Sequence, residues 1–321
     1  MHQTREDFIM LTVTLLGTAA TLPQPDRALS SAVFSVNGRH ILLDCGEGTQ
    51  LALHRQRISP MKIDLIALTH YHGDHMLGLP GLLQTMDTMG RTAPLIITGP
   101  EEGHAPILAA ILTLADELAY PMSFRPMPPE GLPLHTLHPK WPLEAHLDAF
   151  PTVHRIASQG YLLTLGRMRR LHSEKALALE IPRPLWRHLQ SGQTVTTDGR
   201  TICPDDVCGP DRPGLRVVFT GDTAPCDAVE QAARSADLLI MDATYADDLH
   251  DDTAALYGHS TFTQTAALAA RAGVKRLWLT HYSAMVPDPA EHLPAAQAIC
   301  PTAECGVDGK SVMLTFREGE M

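Results

Sequence analysis

Seven consecutive residues, Thr69-His70-Tyr71-His72-Gly73-Asp74-His75, constrain this chain more than any other feature. Three imidazoles and a carboxylate fall within six positions, directly after the apolar run Leu65-Ile66-Ala67-Leu68, which reads as a buried strand ending at the cluster. The fold therefore has to deliver these side chains to the end of a strand. Imidazole nitrogens and carboxylate oxygens suit zinc, manganese or iron(II), and no cysteine stands nearby to make a closed thiolate site. This donor set points to ions kept open for chemistry. Gly73 reads as a sharp turn that sends Asp74 and His75 away from His70 and His72, so that one loop can serve two ions. A solvated histidine-rich loop is the plain alternative.

The 321 residues suffice for one large domain or two. A net charge of −11 argues against a nucleic-acid partner if it is spread evenly, and it is not. Residues 155–200 carry eight lysines and arginines against three acids, a local net charge of +5. Pro182-Arg183-Pro184-Leu185-Trp186-Arg187 adds an aromatic among the cations. On composition this stretch is either a solvated surface excursion or an arm that grips a polyanion through its phosphates. The start, Met1 to Asp7, is acidic and no long apolar run follows, which predicts no signal peptide, no membrane span and a cytoplasmic protein. Six cysteines at 45, 203, 208, 226, 300 and 305 are scattered through the chain, so reduced thiols are expected. The pairs Cys203/Cys208 and Cys300/Cys305 have only loose metal-ligand spacing, each with a proline inside it.

Strands are predicted over 11–16, 32–36 and 40–43, the last two joined by the hairpin signal Asn37-Gly38. The glycine-rich loop Asp44-Cys45-Gly46-Glu47-Gly48-Thr49 follows, either supporting a ligand histidine by hydrogen bonding or serving as an ordinary turn. Thr49 or a neighbour caps a helix to about 57. Helices over 78–89 and 105–117 alternate with a strand at 95–98, and strands at 134–137, 143–147 and 161–165 suggest a second sheet. After Gly214 a strand over 215–219 ends in Thr220-Gly221-Asp222-Thr223. A helix over 228–235 and a strand over 237–241 lead to Asp242-Ala243-Thr244-Tyr245. An acidic loop with Asp247, Asp248, Asp251 and Asp252 leads to Gly258-His259-Ser260-Thr261, whose serine or threonine caps a helix over 262–272. A strand at 277–280 brings in His281, and a helix over 293–299 and a strand over 311–316 finish the chain.

These residues resemble the metallo-β-lactamase superfamily, and within it the ribonuclease Z family of tRNA 3′-end processing nucleases. The superfamily signature HxHxDH stands here as His70-x-His72-x-Asp74-His75. The likeness spans nearly the whole chain. It includes Gly17-Thr18 with Pro23 and Arg27, Gly46-Glu47-Gly48-Thr49-Gln50, Gly78-Leu79-Pro80-Gly81-Leu82-Leu83, Gly160-Tyr161, Thr220-Gly221-Asp222-Thr223, Gly258-His259-Ser260-Thr261 and Thr280-His281. The GEGTQ, GLPGLL and GHST stretches make the nuclease branch specific.

The resemblance implies an α/β fold, a four-layer αβ/βα sandwich formed by one domain over 1–321 with a basic arm inserted at 166–205. It implies two zinc ions, manganese or iron(II) being the other metals that this donor set accepts. His70, His72 and His154 would hold one, Asp74, His75 and His281 the other, with Asp222 bridging. Asp74 would also orient the attacking water, and His259 would protonate the leaving oxygen. The tRNA precursor would be the partner, cut to leave a 3′-hydroxyl on the tRNA, with Arg167, Arg169, Arg170, Lys175, Arg183 and Arg187 of the arm on its backbone. A homodimer is implied as well, one subunit's arm serving the other's site. Two places depart from the family pattern. The arm has Arg183-Pro184 where relatives usually carry Gly-Pro, and His281-Tyr282-Ser283-Ala284-Met285-Val286 replaces the frequent His-x-Ser-x-Arg-Tyr. The rival readings are a small-substrate hydrolase on the same scaffold, such as a cyclic-nucleotide phosphodiesterase or lactonase, and a nucleic-acid-binding homologue without catalysis.

Overall fold

A computed structural model describes residues 9–115, 117–246 and 250–316. In the first sheet β1 (Met10–Gly17), β2 (Ser31–Val36) and β3 (Arg39–Leu43) run antiparallel, and β4 (Ile63–Ala67), β5 (Leu95–Gly99) and β6 (Met122–Pro126) continue it in parallel. Asn37 and Gly38 both take left-handed φ values, 51° and 72°, which is what a two-residue hairpin turn requires. The second sheet begins with β7 (Leu132–Pro133), β8 (Ala145–Pro151) and β9 (Gln159–Arg167), all antiparallel. A small ribbon of β10 (Val195–Thr197) and β11 (Arg200–Ile202) interrupts it. Then β12 (Arg212–Phe219) pairs with β9, and β13 (Leu238–Asp242), β14 (Leu277–Thr280) and β15 (Ala303–Cys305) follow in parallel. The chain returns through β16 (Ser311–Thr315), which closes the first sheet against β1.

Alternation in the strands explains the layers. Leu11, Val13, Leu15, Phe34 and Ile41 of the first sheet meet Tyr161, Leu163, Leu165, Val217 and Ile240 of the second in one buried cluster between the sheets. The opposite face of the first sheet, with Leu42, Ile66 and Ile97, packs on Leu79, Leu82, Leu83 and Met86 of the helix Leu79–Thr88. That of the second, with Val218, Leu239 and Leu279, packs on Phe262, Ala266 and Ala269 of the helix Phe262–Ala272. The result is helix, sheet, sheet, helix, the predicted four-layer α/β arrangement. Thr261 caps the second of these helices in a capping box with Gln264.

Some elements differ from expectation. The predicted strand at 134–137 is a 3₁₀ turn, Leu134–Thr136, closed by the Thr136 hydroxyl donating to the Pro133 carbonyl at 2.7 Å. β8 starts two residues later than predicted and runs on to Pro151. The helix after β5 is His104–Ala115, and residue 116 lies outside the described residues. So do the predicted loop acids Asp247 and Asp248 and the acidic start. The basic stretch is ordered rather than irregular. Helices Ser173–Ala178, Arg183–Gln190 and Pro204–Val207 and the β10–β11 ribbon enclose a separate apolar cluster of Ala176, Ile181, Leu189, Val195, Ile202 and Val207. This unit leaves and rejoins the second sheet through the neighbouring strands β9 and β12, where Arg167 and Arg212 are register partners.

Candidate metal centre

Four strand ends build the centre. Past the end of β4 come Thr69, His70 and His72, past β12 comes Asp222, past β14 comes His281, and the loop between β8 and β9 supplies His154. Gly73 makes the sharp turn read from the sequence, without a left-handed backbone. It opens a one-turn helix, Gly73–Met76, and the rotation of that turn is what separates Asp74 and His75 from His70 and His72. Glycine is needed instead at Gly221, where φ is +62° and a Cβ would fall 2.6 Å from the Thr69 side chain. Gly46 is pressed as closely, since a Cβ there would lie 2.4 Å from the Asp74 carbonyl oxygen.

All seven expected ligands converge. His70 Nε2 and His154 Nε2 lie 3.0 and 3.1 Å from His72 Nδ1, and both face Asp222 Oδ2, at 3.6 and 3.9 Å. On the other side His75 Nε2 and His281 Nε2 are 3.2 Å apart, and each lies 3.1 Å from Asp222 Oδ1. Asp74 Oδ2 completes that group at 3.6 Å from His75 and 3.4 Å from His281. Thus each oxygen of Asp222 faces one set of ligands. The centre is enclosed: His70, His75, Asp222 and His281 are all buried.

The remaining ring nitrogens fix which atoms point inward. Asp44 accepts from His75 Nδ1 at 2.7 Å, and from the Thr69 amide and hydroxyl at 2.7 and 3.0 Å. His70 Nδ1 donates to that same Thr69 hydroxyl, and His154 Nδ1 to the Gly258 carbonyl at 2.9 Å. His281 Nδ1 donates to the Thr244 hydroxyl at 2.9 Å, which in turn donates to Asp242 Oδ1. Every one of these bonds leaves an Nε2 lone pair for the centre. The glycine-rich loop after β3 is therefore a support for the ligands through Asp44, not an ordinary turn. Asp242 and Thr244, noted in the sequence only as a strand end, hold up the other side.

The residues fit divalent cations. Lone pairs of His75 and His281 face Asp222 Oδ1, a buried oxygen with no hydrogen-bond partner among the described residues. Such an arrangement needs a positive charge between the atoms. Burial keeps His70, His72 and His154 below the usual imidazole range, and so neutral. Burial opposes ionisation of Asp74 and Asp222 too, yet the surrounding histidines outweigh it and hold both carboxyls low. For His75 burial is overcome by Asp222 and Asp44, which push its pKa well up. Neutral imidazoles and ionised carboxylates are the ligating forms.

His259 sits beside the ligands and groups with Asp222, Asp242 and His281, whose donor atoms and its own all lie within 4.8 Å of one another. Its Nδ1 donates to Asp242 Oδ2 at 2.7 Å, and its ring stacks on His281 with centroids 5.4 Å apart. Burial lowers its pKa, but the Asp242 carboxylate overcomes this and raises it to about 9. A cleft of about 610 Å³ opens over the centre, lined among others by His72, Asp74, Asp222, His259, Tyr257 and Met285.

Of the arm cations, Arg167 and Arg169 stand at its root. Arg167 lies over the Phe316 ring, and Arg169 is tied to Asp205 at 2.5 Å and to the Gly209 carbonyl at 2.7 Å. Arg170, Lys175, Arg183 and Arg187 are exposed. The six cysteines are free, as expected. No helix among the described residues is long and apolar enough to cross a membrane.

Residues 11–105 match the family model for anti-Pycsar protein Apyc1, and residues 209–282 that for the β-lactamase superfamily domain. The chain is 37% identical to a ribonuclease Z of Lachnoclostridium phytofermentans, over 97% of this chain and all of the relative. It is 40% identical to a ribonuclease Z of Agathobacter rectalis, over 96% of this chain and again all of the relative. Among solved structures, the short form of human tRNase Z superposes with a TM-score of 0.64 at 25% identity, covering 94% of this chain and 98% of that one. The metallo-β-lactamase fold protein YhfI of Bacillus subtilis, at 19% identity and a TM-score of 0.67 over 95% and 99% of the two chains, shares the fold. With relatives this similar over their full length, and with the HxHxDH loop at the seam of two sheets, the chain belongs to the ribonuclease Z family of the metallo-β-lactamase superfamily.

Proposed function

We propose that this protein removes the 3′ trailer from tRNA precursors by hydrolysing a phosphodiester and leaving a 3′-hydroxyl on the tRNA. The observation that carries this reading is the convergence of His70, His72, His154, Asp74, His75 and His281 around the two oxygens of Asp222, in a chain similar along its length to ribonucleases Z. We take the chain as one domain over 1–321 with the arm of 166–205 inserted, acting as a cytoplasmic homodimer. Family likeness supports the single domain with its arm and the dimer.

His70, His72 and His154 would hold one divalent cation and Asp74, His75 and His281 a second, bridged by Asp222, supplying Lewis acidity toward the phosphate and a water acidic enough to attack it. Zinc heads the choices for a nitrogen and oxygen donor set, ahead of manganese and iron(II). Asp74 is held by the Thr21 amide, which donates to its Oδ2 at 2.7 Å, and it lines the cleft, so its carboxylate orients the attacking water. His259 carries its proton at neutral pH because Asp242 stabilises the imidazolium, and it delivers that proton to the departing oxygen. The exposed cations Arg170, Lys175, Arg183 and Arg187 hold the tRNA backbone away from the centre, while Arg167 and Arg169 brace the arm's root. The test is His259→Ala: bound metal should stay at the wild-type level while kcat falls roughly 10²- to 10⁴-fold. Unchanged turnover would remove His259 from the mechanism.

A further inference from the structure

The residues lining the cleft include a single lysine or arginine, Arg155, next in sequence to His154. It is exposed, and its guanidinium lies 5.1 Å from the centroid of the Tyr257 ring, which lines the same cleft. No carboxylate among the described residues pairs with it. A guanidinium that rests on an aromatic face keeps its N–H edge free and pre-oriented, the form in which arginine meets phosphate oxygens two at a time. The cleft, at about 610 Å³, is larger than one phosphate group, so nucleotides flanking the reacting phosphate enter it with their own charges. Near the segment after His281 the lining is Ala20, Thr21, Leu22, Ser283, Ala284 and Met285, which offers those charges two hydroxyls but no cation.

We propose that Arg155, seated on Tyr257, is the phosphate-binding residue of this cleft and grips the phosphate adjoining the scissile one. This rests on the reading of the chain as a nuclease for tRNA precursors. The cation of the cleft stands on the segment after His154, while the side of Met285 carries none.

The test is steady-state cleavage of a 3′-extended tRNA precursor by the zinc-loaded full chain over a range of salt concentrations. Arg155→Ala should raise KM about tenfold with little change in kcat. Its log(kcat/KM) against log[salt] should be shallower by about 0.7, the loss of one phosphate contact on a single strand. Arg155→Ala combined with Met285→Arg should recover most of the affinity and the steeper salt dependence. Tyr257→Leu, which leaves the segment beside His154 intact, should raise KM by a smaller factor, and it decides the matter if Arg155→Ala binds less zinc. Wild-type KM and salt dependence in Arg155→Ala or, in that case, wild-type KM in Tyr257→Leu would overturn the proposal. A wild-type chain that leaves the precursor uncut would overturn the nuclease reading itself, and the phosphate assigned to Arg155 with it.

Discussion

Asp44 and His281 both take the left-handed backbone region, with φ of 55° and 63°. Neither is a glycine, and such positions cost of order 1–3 kcal/mol each unless the surroundings hold them. Both stand at the centre, one as the acceptor that orients His75 and the other among the ligands, so the strain lies where the geometry is most demanding. Asp44→Asn keeps the size but loses the charge that faces His75 Nδ1. Zinc affinity, measured by competition with a chelator, should fall about 10- to 100-fold; unchanged affinity would show that Asp44 only packs. At this scale the sequence revealed the inward-facing residues, because imidazoles at strand ends have few other uses. It left Asp242 and Thr244 without a role and Asp44 in balance, because a partner for a second ring nitrogen comes from a strand remote in sequence. Arg155 was counted only as the first cation of the basic stretch for the same reason: Tyr257, its platform, lies 102 positions away.

Among the elements, the strands that bury both faces were the most legible, and β4, β12, β13 and β14 stand within a residue or two of their predicted places, apart from the early start of β12. Two of the edge strands were harder. β6 and β15 lie at the sheet edges, half covered and short of alternation, and neither was predicted. The arm's charge was plain from composition, whereas its helices and ribbon were not, since a cluster as small as Ala176, Ile181 and Leu189 leaves little periodic signal. Because Arg167 and Arg212 face each other across β9 and β12, replacing residues 169–210 with a short turn leaves an ordinary hairpin. That variant should keep its metal and its rate on a small aryl phosphodiester within a few-fold, and lose at least about 10²-fold in kcat/KM on a tRNA precursor. Equal loss on both substrates would mean that the arm supports the fold rather than the substrate.

On the scale of the whole molecule, two mixed sheets of like construction meet face to face, each with an antiparallel part and a parallel part. The first contributes the HxHxDH loop and Asp44, the second His154, Asp222, Asp242 and His281, so the centre exists only where both halves are in place. In a chain of net charge −11 the arm still presents the exposed cations Arg170, Lys175, Arg183 and Arg187. Under the proposed function these residues direct an activated water at phosphorus. The most direct measurement is the chemistry of the ends formed when the zinc-loaded protein cuts a 3′-extended tRNA precursor. The account predicts a 3′-hydroxyl on the tRNA and a 5′-phosphate on the released trailer, both abolished by chelation and restored by zinc. A 2′,3′-cyclic phosphate on the tRNA, or cleavage that persists in chelator, would contradict it.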